Sequence, residues 1–256
     1  MKKNSNTSWN KVADWYNKSL GEDSYHQTII IPGILELLKH YLKSSEKNIL
    51  DLACGQGIVS KKLFDEGYTV TGIDLAPELI RMAQKNFPQI SFEVQDARNL
   101  SQSFMKNKSG FDTVICNLAL QNMDNLQSVF KEVARVLKPK AKFIFVINHP
   151  SFRIPRLTSW GWDEQKKMQY RRVDRYLTEQ KIPIIMHPGK ANSEETWSFH
   201  RPMQTYAGLL RDSGLSLIDI REWISDKSSQ PGPKAKAENT ARQEFPLFMA
   251  IVAEKK

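Results

Sequence analysis

The 256-residue chain has only two cysteines, Cys54 and Cys116, and five histidines. Two cysteines do not make a disulfide framework, and no Cys/His cluster or carboxylate pair stands at metal-ligand spacing, so no metal is indicated. Long hydrophobic runs are also missing. The most apolar early stretch, Ile29 to Leu38, is interrupted by Pro32, Gly33 and Glu36, so it is not expected to span a bilayer. Residues 1–10 are polar, carry two lysines and lack the apolar core of a signal peptide, which makes the cytoplasm the expected compartment. The chain has no block of like charges, no repeat and no low-complexity tract, and the Pro/Gly/Ser-rich stretch Ser228 to Pro233 is short. The formal charge of +9 is the one feature that suggests an anionic partner such as RNA or a lipid surface. That charge is spread out. Residues 149–205 carry six Arg, four Lys and six Asp+Glu, a surplus of four, and the rest of the chain carries the other five. A solvated basic surface accounts for this better than a nucleic-acid face.

What is present is a regular alternation of strand and helix patterns from Lys47 to Ile147. Asn48 to Leu52 is a short apolar run that stops at a glycine turn, as a strand buried on both faces does. A helix is expected from Val59 to Asp65, then a strand over Tyr68 to Ile73 that ends at Asp74. Pro77 fits the first turn of the next helix. Ile90 to Val94 and Phe111 to Cys116 read as strands, Leu126 to Leu137 as a helix closed by Pro139, and Lys142 to Ile147 as a fifth strand. A helix over Tyr206 to Arg211 and strands over Leu215 to Trp223 and Leu247 to Ala253 complete the series. This order predicts a parallel α/β sheet with right-handed crossovers. Residues 1–46 stand outside the rhythm as a helical extension. Residues 149–203 stand outside it as an insertion after the fifth strand, a place where α/β proteins build binding sites.

The informative stretch is Asp51-Leu52-Ala53-Cys54-Gly55-Gln56-Gly57, between a strand and a helix. Small residues at 53, 55 and 57 let the chain turn sharply and let a ligand approach the backbone, and the helix offers free N–H groups. Asp74 ends the next strand 23 residues after Asp51, where a carboxylate can accept hydrogen bonds from two ribose hydroxyls. A dinucleotide would bring a pyrophosphate against Asp51, which is repulsive. A cationic ammonium, as on a methionine moiety, suits that carboxylate better.

With its neighbouring blocks, Asp51-x-Ala53-x-Gly55-x-Gly57 resembles the signature of the large Rossmann-like methyltransferase superfamily, with alanine in place of its first glycine. Gly72-Ile73-Asp74, Gln95-Asp96-Ala97, Phe111 to Asn117 and Leu137-Lys138-Pro139 follow in the family's order, although Lys140 and Ala141 replace the glycines of its turn. The resemblance implies a doubly wound seven-stranded sheet, mostly parallel, with one antiparallel strand near the C-terminus. It also implies S-adenosylmethionine as cofactor. Asp51, Ala53, Cys54, Gly55 and Gly57 would border its methionine part, Asp74 would hold the ribose and Leu75 would pack on the adenine. Asp96 and Ala97 would read the adenine edge, and Asn117 and Leu118 would lie near the sulfonium. The competing reading of Asp96 is a turn cap, and the two cysteines read as packing residues rather than nucleophiles.

Methyl transfer needs an aligned acceptor, exclusion of water and, for some acceptors, a base. His149, directly after the fifth strand, and His200, after the insertion, are the catalytic candidates; the competing reading of His149 is a residue that bonds its own loop. Arg201 suits an anionic substrate group or a structural ion pair. Tyr16, on an amphipathic N-terminal helix with Trp9, Val12 and Trp15, is a lid candidate, with Tyr25 and His26 a further pair. His40 and His187 read as surface residues. The insertion's aromatics either wall a pocket or form a small core of their own. One domain is expected: a lid over residues 1–46, a cofactor-binding core over 47–148, a substrate-side insertion over 149–203 and a C-terminal part over 204–256. The expected acceptor is a small molecule, methylated on O, N or C. RNA methylation and a non-catalytic cofactor-binding partner are the alternatives, followed by a nicotinamide-dependent oxidoreductase. The chain has no Asn-Pro-Pro-Tyr or Asp-Pro-Pro-Tyr motif after the fourth strand, which counts against methylation of a base amine.

Overall fold

The computed structural model describes residues 23–105, 110–185 and 195–256. A π-helical turn, His26–Ile30, runs into helix α1 (Ile31–Tyr41), with Pro32 in its first turn, where a missing N–H costs nothing. Then follow β1 (Asn48–Leu52), α2 (Ile58–Asp65), β2 (Thr69–Asp74), α3 (Pro77–Asn86) and β3 (Ser91–Val94). After these come the short α4 (Gln102–Met105), β4 (Phe111–Asn117), a 3-10 turn at Leu120–Asn122, α5 (Leu126–Val136) and β5 (Leu137–Asn148). Two hairpins occupy the insertion: β6 (Thr158–Asp163) with β7 (Met168–Val173), and β8 (Gln180–Ile185) with β9 (Glu195–His200). The chain closes with α6 (Met203–Asp212), β10 (Leu215–Trp223), α7 (Ala235–Glu244) and β11 (Phe248–Lys255).

The main sheet has seven strands in the order β10-β11-β5-β4-β1-β2-β3. Strands β3, β2, β1, β4 and β5 run parallel, while β11 pairs antiparallel with both β5 and β10. This is the doubly wound, mostly parallel architecture implied by the sequence. Side-chain alternation divides the core between the two sheet faces. Phe143, Phe145 and Ile147 of β5 pack with Phe130 and Val133 of α5 and with Tyr206 of α6. The intervening Ile144 and Val146 pack with Ile34 and Leu38 of α1 and Val59 and Leu63 of α2. The apolar stretch Ile29 to Leu38 is therefore a core helix, and among the described residues no helix is long and apolar enough to cross a membrane.

Strand boundaries fall close to expectation, with one physical departure. β5 begins at Leu137, before Pro139, and tolerates the proline because the pairing with β4 is irregular there. Leu137 faces Phe111, yet the next register pair is Lys142 with Thr113, and Lys140 takes a left-handed φ of +64°. Helix α7 had no counterpart in the sequence reading. Both hairpins of the insertion were also missed; they are half-exposed, and Pro183 sits inside β8. Of the insertion's aromatics, Trp160 meets Phe245 edge-on and Trp162 lies under Lys234, so part of the insertion leans on α7 rather than forming a core of its own.

Phe92 of β3 fills a notch that two glycines leave open. A Cβ on Gly72 would stand 2.5 Å from the Phe92 ring and 2.9 Å from Cys54 Sγ, and one on Gly57 would stand 2.7 Å from the same ring. Gly72→Ala should therefore destabilise the protein by about 1–3 kcal/mol, the usual cost of overpacking, as read from denaturant unfolding. An unchanged midpoint would mean that the ring swings aside freely.

Candidate functional site

Parallel strands deliver their C-terminal ends to one edge of the sheet, and the strand order reverses between β1 and β4. At such a switch point a crevice must open, because the crossovers on either side leave in opposite directions. Here it holds a cavity of about 820 Å³, bounded by the ends of β1, β2, β4 and β5 and by the β8–β9 hairpin.

The turn after β1 is wound by alternate left-handed residues: Ala53 at φ +60°, Gly55 at +57° and Gly57 at +85°. Its N–H groups are tied to β2, Cys54 donating to the Ile73 carbonyl at 2.9 Å and Gly55 to Asp74 Oδ2 at 3.0 Å. Ala53 holds a conformation that costs an L-residue about 1 kcal/mol or more. Ala53, Cys54 and Gly55 line the cavity with Asp51, Asp74, Leu75, Asp96, Ala97, Asn117 and Leu118, so ten of the eleven residues expected around a cofactor converge on one wall. Gly57 is the exception. It starts α2, and its conformation and the Phe92 ring account for the glycine without a ligand.

The electrostatics of this wall favour a cation. Asp51 is almost fully buried and accepts a hydrogen bond from Ser60 Oγ at 2.5 Å. Burial pushes its carboxyl from 3.8 up to about 6; the charge of Asp74 adds to the rise, and the Ser60 bond opposes it. Burial likewise raises Asp74, against the pull of hydrogen bonds from the Ala76 and Gly55 N–H groups. Burial, reinforced by these two carboxylates, lifts the thiols of Cys54 and Cys116 above their ordinary range, so neither is a thiolate nucleophile. Asp96 is held by Arg98 through Nε and Nη2, both at 2.9 Å, and through the Arg98 N–H at 2.9 Å. It is thus a turn cap and a wall residue at once. Asn117 Oδ1 and Gln121 Oε1 are buried and have no hydrogen-bond partner among the described residues. Such atoms are costly unless a ligand satisfies them.

The structure places the two catalytic candidates elsewhere. His149 is buried with Nδ1 accepting from the Ser151 and Phe152 N–H groups at 3.1 and 3.3 Å and Nε2 2.7 Å from Glu222 Oε1. With Nδ1 accepting, Nε2–H donates to Glu222. The ring is a strut for its own loop and does not line the cavity. His200 Nε2 donates to the Tyr176 carbonyl at 2.7 Å, and the residue borders only a small cleft beside the main cavity. Arg201 is also a strut, donating to the carbonyls of Leu120, Met123 and Asp124. Tyr25 turns away, its hydroxyl 3.3 Å from Ser225 Oγ and its ring edge-on to Phe248. His26 does line the cavity, with Nε2 buried and unpartnered among the described residues; burial lowers its pKa. His40 is exposed, as expected. Tyr16, Trp9, Val12, Trp15 and His187 lie outside the described residues, and among those described no cluster could hold a metal.

Sequence reasoning missed Gln121, Asn148, Arg153, Lys181 and the β9 residues Thr196 and Ser198, all on the cavity wall. Asn148 and Arg153 were accessible through the rule that sites gather at strand C-termini. Trp197 and Phe199, two of the insertion's aromatics, line the cavity with them, whereas the polar β9 residues between carried no signal without the hairpin.

A family model described as a methyltransferase domain matches residues 43–197, more than half of the chain. A ubiquinone biosynthesis O-methyltransferase of Coxiella burnetii is 28% identical over 144 residues, covering 55% of this chain and 59% of that protein. One from Xanthomonas euvesicatoria is 31% identical over 122 residues, covering 46% and 50%. The match therefore spans little more than half the length of these relatives. The solved S-adenosylmethionine-dependent methyltransferase of Mesorhizobium loti has the same fold, with a TM-score of 0.68 at 23% identity, covering 91% of this chain and 99% of that one. The chain belongs to the methyltransferase-domain family.

The raised carboxyl of Asp51 makes a prediction about the ligand-free protein. A group whose pKa is higher folded than unfolded contributes stability that is present below the unfolded value and is lost as pH rises through the folded one. Between pH 4 and 7 the wild type should therefore lose about 2 kcal/mol relative to Asp51→Asn, measured by urea unfolding of both proteins across that range. A difference independent of pH would show that Asp51 ionises at its ordinary value.

Proposed function

We propose that this member of the methyltransferase-domain family transfers the methyl group of S-adenosylmethionine to an oxygen, nitrogen or carbon atom of a small-molecule acceptor. The observation that carries this reading is one cavity with two chemically different halves. The half formed by the ends of β1, β2 and β3 is carboxylate-rich. The other half is walled by Trp197 and Phe199 of β9, by the end of β5 and by His26. When bound, S-adenosylmethionine supplies an electrophilic methyl carbon on a sulfonium. The carboxylate half fits its chemistry: Asp51 is a buried anion beside a second anion, and Asn117 Oδ1 is a buried acceptor without a partner.

In this reading Asp51, Ala53, Cys54 and Gly55 receive the methionine end, with Asp51 neutralised by the ammonium. Asp74, its carboxylate aimed by two backbone N–H groups, accepts from the ribose hydroxyls. Leu75 packs beside the adenine, Asp96 and Ala97 meet its edge, and Asn117 and Leu118 lie toward the sulfonium. Residues 47–148 then act as the cofactor core, residues 149–203 as the acceptor wall, residues 1–46 as its cover and residues 204–256 as the completion of the sheet. Where the acceptor loses a proton, His26 is the wall histidine that can take it. Its lowered pKa keeps the imidazole neutral near pH 7, and Nε2 is available.

A small acceptor is favoured over a polyanion by the charge of the wall. Asp51, Asp74, Asp96 and Asp124 line it against Arg98, Arg153 and Lys181, so the chain's positive surplus does not gather at the cavity. The naming of the two curated relatives as ubiquinone biosynthesis O-methyltransferases supports the same choice.

The test is calorimetric titration with S-adenosylhomocysteine, with NAD run in parallel. The wild type should bind S-adenosylhomocysteine alone, and Asp74→Ala should weaken that binding by about 1–3 kcal/mol by leaving the ribose without its charged acceptor. Binding of NAD alone would sink the proposal. Unchanged affinity in the variant would take Asp74 out of the site.

A further inference from the structure

The acceptor half of the cavity contains a guanidinium with no carboxylate partner among the described residues. Arg153 follows β5 by five residues, on a loop pinned when its N–H donates to the His149 carbonyl at 2.9 Å. Its side chain lies 4.9 Å over the Phe248 ring and reaches the cavity, where Nη1 is buried and makes no hydrogen bond among the described residues. Each carboxylate on the cavity wall is bound elsewhere. Asp51 holds Ser60, Asp74 holds two backbone N–H groups, and both Asp96 and Asp124 hold Arg98. Glu222, the acidic side chain that reaches this loop, is taken by His149.

The neighbours do not help. Arg171 faces Arg153 as a like charge, and its own donors go to the Phe152 carbonyl and Thr158 Oγ1. Tyr25 is the other ionisable group acting on it, and the Tyr25 hydroxyl is 3.3 Å from Ser225 Oγ. Burial disfavours the charge on Arg153, yet a guanidinium keeps its proton, so the fold retains a cation in a poor environment. Phe248 supports the guanidinium from beneath, and the rings of Trp197 and Phe199 line the same cavity, a lining that suits a flat, apolar body carrying an anion at one end.

We propose that Arg153 binds an oxyanion of the methyl acceptor, so that the acceptor is an aromatic or apolar acid rather than a neutral molecule. A carboxylate matches the single buried charge. The inference rests on the functional reading above for the role of the cavity, but the anion site itself can be tested separately. Lys181, with Nζ 4.2 Å over the Trp197 ring on the exposed side, serves as a second, solvated cation at the entrance.

Calorimetric titrations of the full chain saturated with S-adenosylhomocysteine would use benzoate, its neutral isostere benzamide, and phenyl phosphate. Wild type should bind benzoate at least about ten-fold more tightly than benzamide, a difference of about 1.4 kcal/mol. Arg153→Met should abolish that preference and leave S-adenosylhomocysteine affinity within about twofold, since the cofactor wall is separate. It should also raise the melting temperature, because a buried uncompensated charge is removed. Arg153→Lys should keep part of the preference. Tighter phenyl phosphate than benzoate would keep the anion site and make the acceptor a phosphate. Equal benzoate and benzamide affinities, a preference that survives Arg153→Met, or no benzoate binding at millimolar concentration would each overturn the proposal. Failure of S-adenosylhomocysteine to bind would instead defeat the functional reading, and the same titrations on the unliganded chain would still decide whether Arg153 is an anion site.

Discussion

A buried carboxylate beside another carboxylate is the constraint around which this molecule is arranged. Asp51, one residue before the end of β1, has almost no solvent contact, and Asp74 ends the neighbouring β2. The charge of Asp74 raises the pKa of Asp51 further and compounds the cost of its burial. The turn from Ala53 to Gly57 makes the arrangement possible. It swings the chain over the strand ends, gives one N–H to Asp74, and leads into α2, whose Ser60 hydroxyl reaches back to Asp51. It also contains strain, since Ala53 holds a left-handed backbone without being glycine. Cost and strain stand together at the position where a cationic ligand would relieve the electrostatic part.

The other polar residues around the cavity divide into struts and free groups, and the difference lies in their hydrogen bonds. His149, His200 and Arg201 have their polar atoms engaged with Glu222, backbone N–H groups and backbone carbonyls. They join the loops that follow β4, β5 and β9, and so set the width of the opening. Asn117, Gln121, His26 and Arg153 each have a buried polar atom without a partner among the described residues, and all four line the cavity. A fold satisfies its buried polar atoms wherever it can. Four of the exceptions among the described residues gather around one cavity and mark where a second molecule is expected.

Legibility in the sequence followed burial and locality. β1, buried on both faces, was found with its observed bounds because its apolar run ends at a turn, and the more exposed β10 with its own because Gly214 marks its start. The turn at 53–57 was legible because small residues are required wherever backbone approaches backbone. The hairpins of the insertion were not. Trp160, Tyr170, Ile185 and Trp197 are partly exposed, so their strands lack the apolar alternation that a core imposes. The two candidate histidines lie off the main cavity's wall for a related reason. Position after a strand places a residue near the rim, but His149 points to Glu222 of β10, a pairing 73 residues away that no local pattern encodes. Arg153 was overlooked because an arginine in a loop is ordinarily solvated, and what distinguishes it is the missing partner.

The two halves of the cavity therefore present opposite problems in electrostatics, and the ligand-free fold solves neither. On one side buried anions await a cation, and on the other a buried cation awaits an anion. Their mutual attraction cannot substitute for ligands, because each wall carboxylate already has its own donor and Arg153 Nη1 has no hydrogen-bond partner among the described residues. A donor that arrives with an ammonium and a sulfonium compensates the first side. An acidic acceptor would compensate the second, and it would bring its negative charge into the same cavity as the sulfonium. Opposite charges attract more strongly there than in water. Once both sites are filled, the charge pattern of the walls would itself draw the acceptor toward the methyl group. Selection for an acid would then follow from the same burial that destabilises the empty protein.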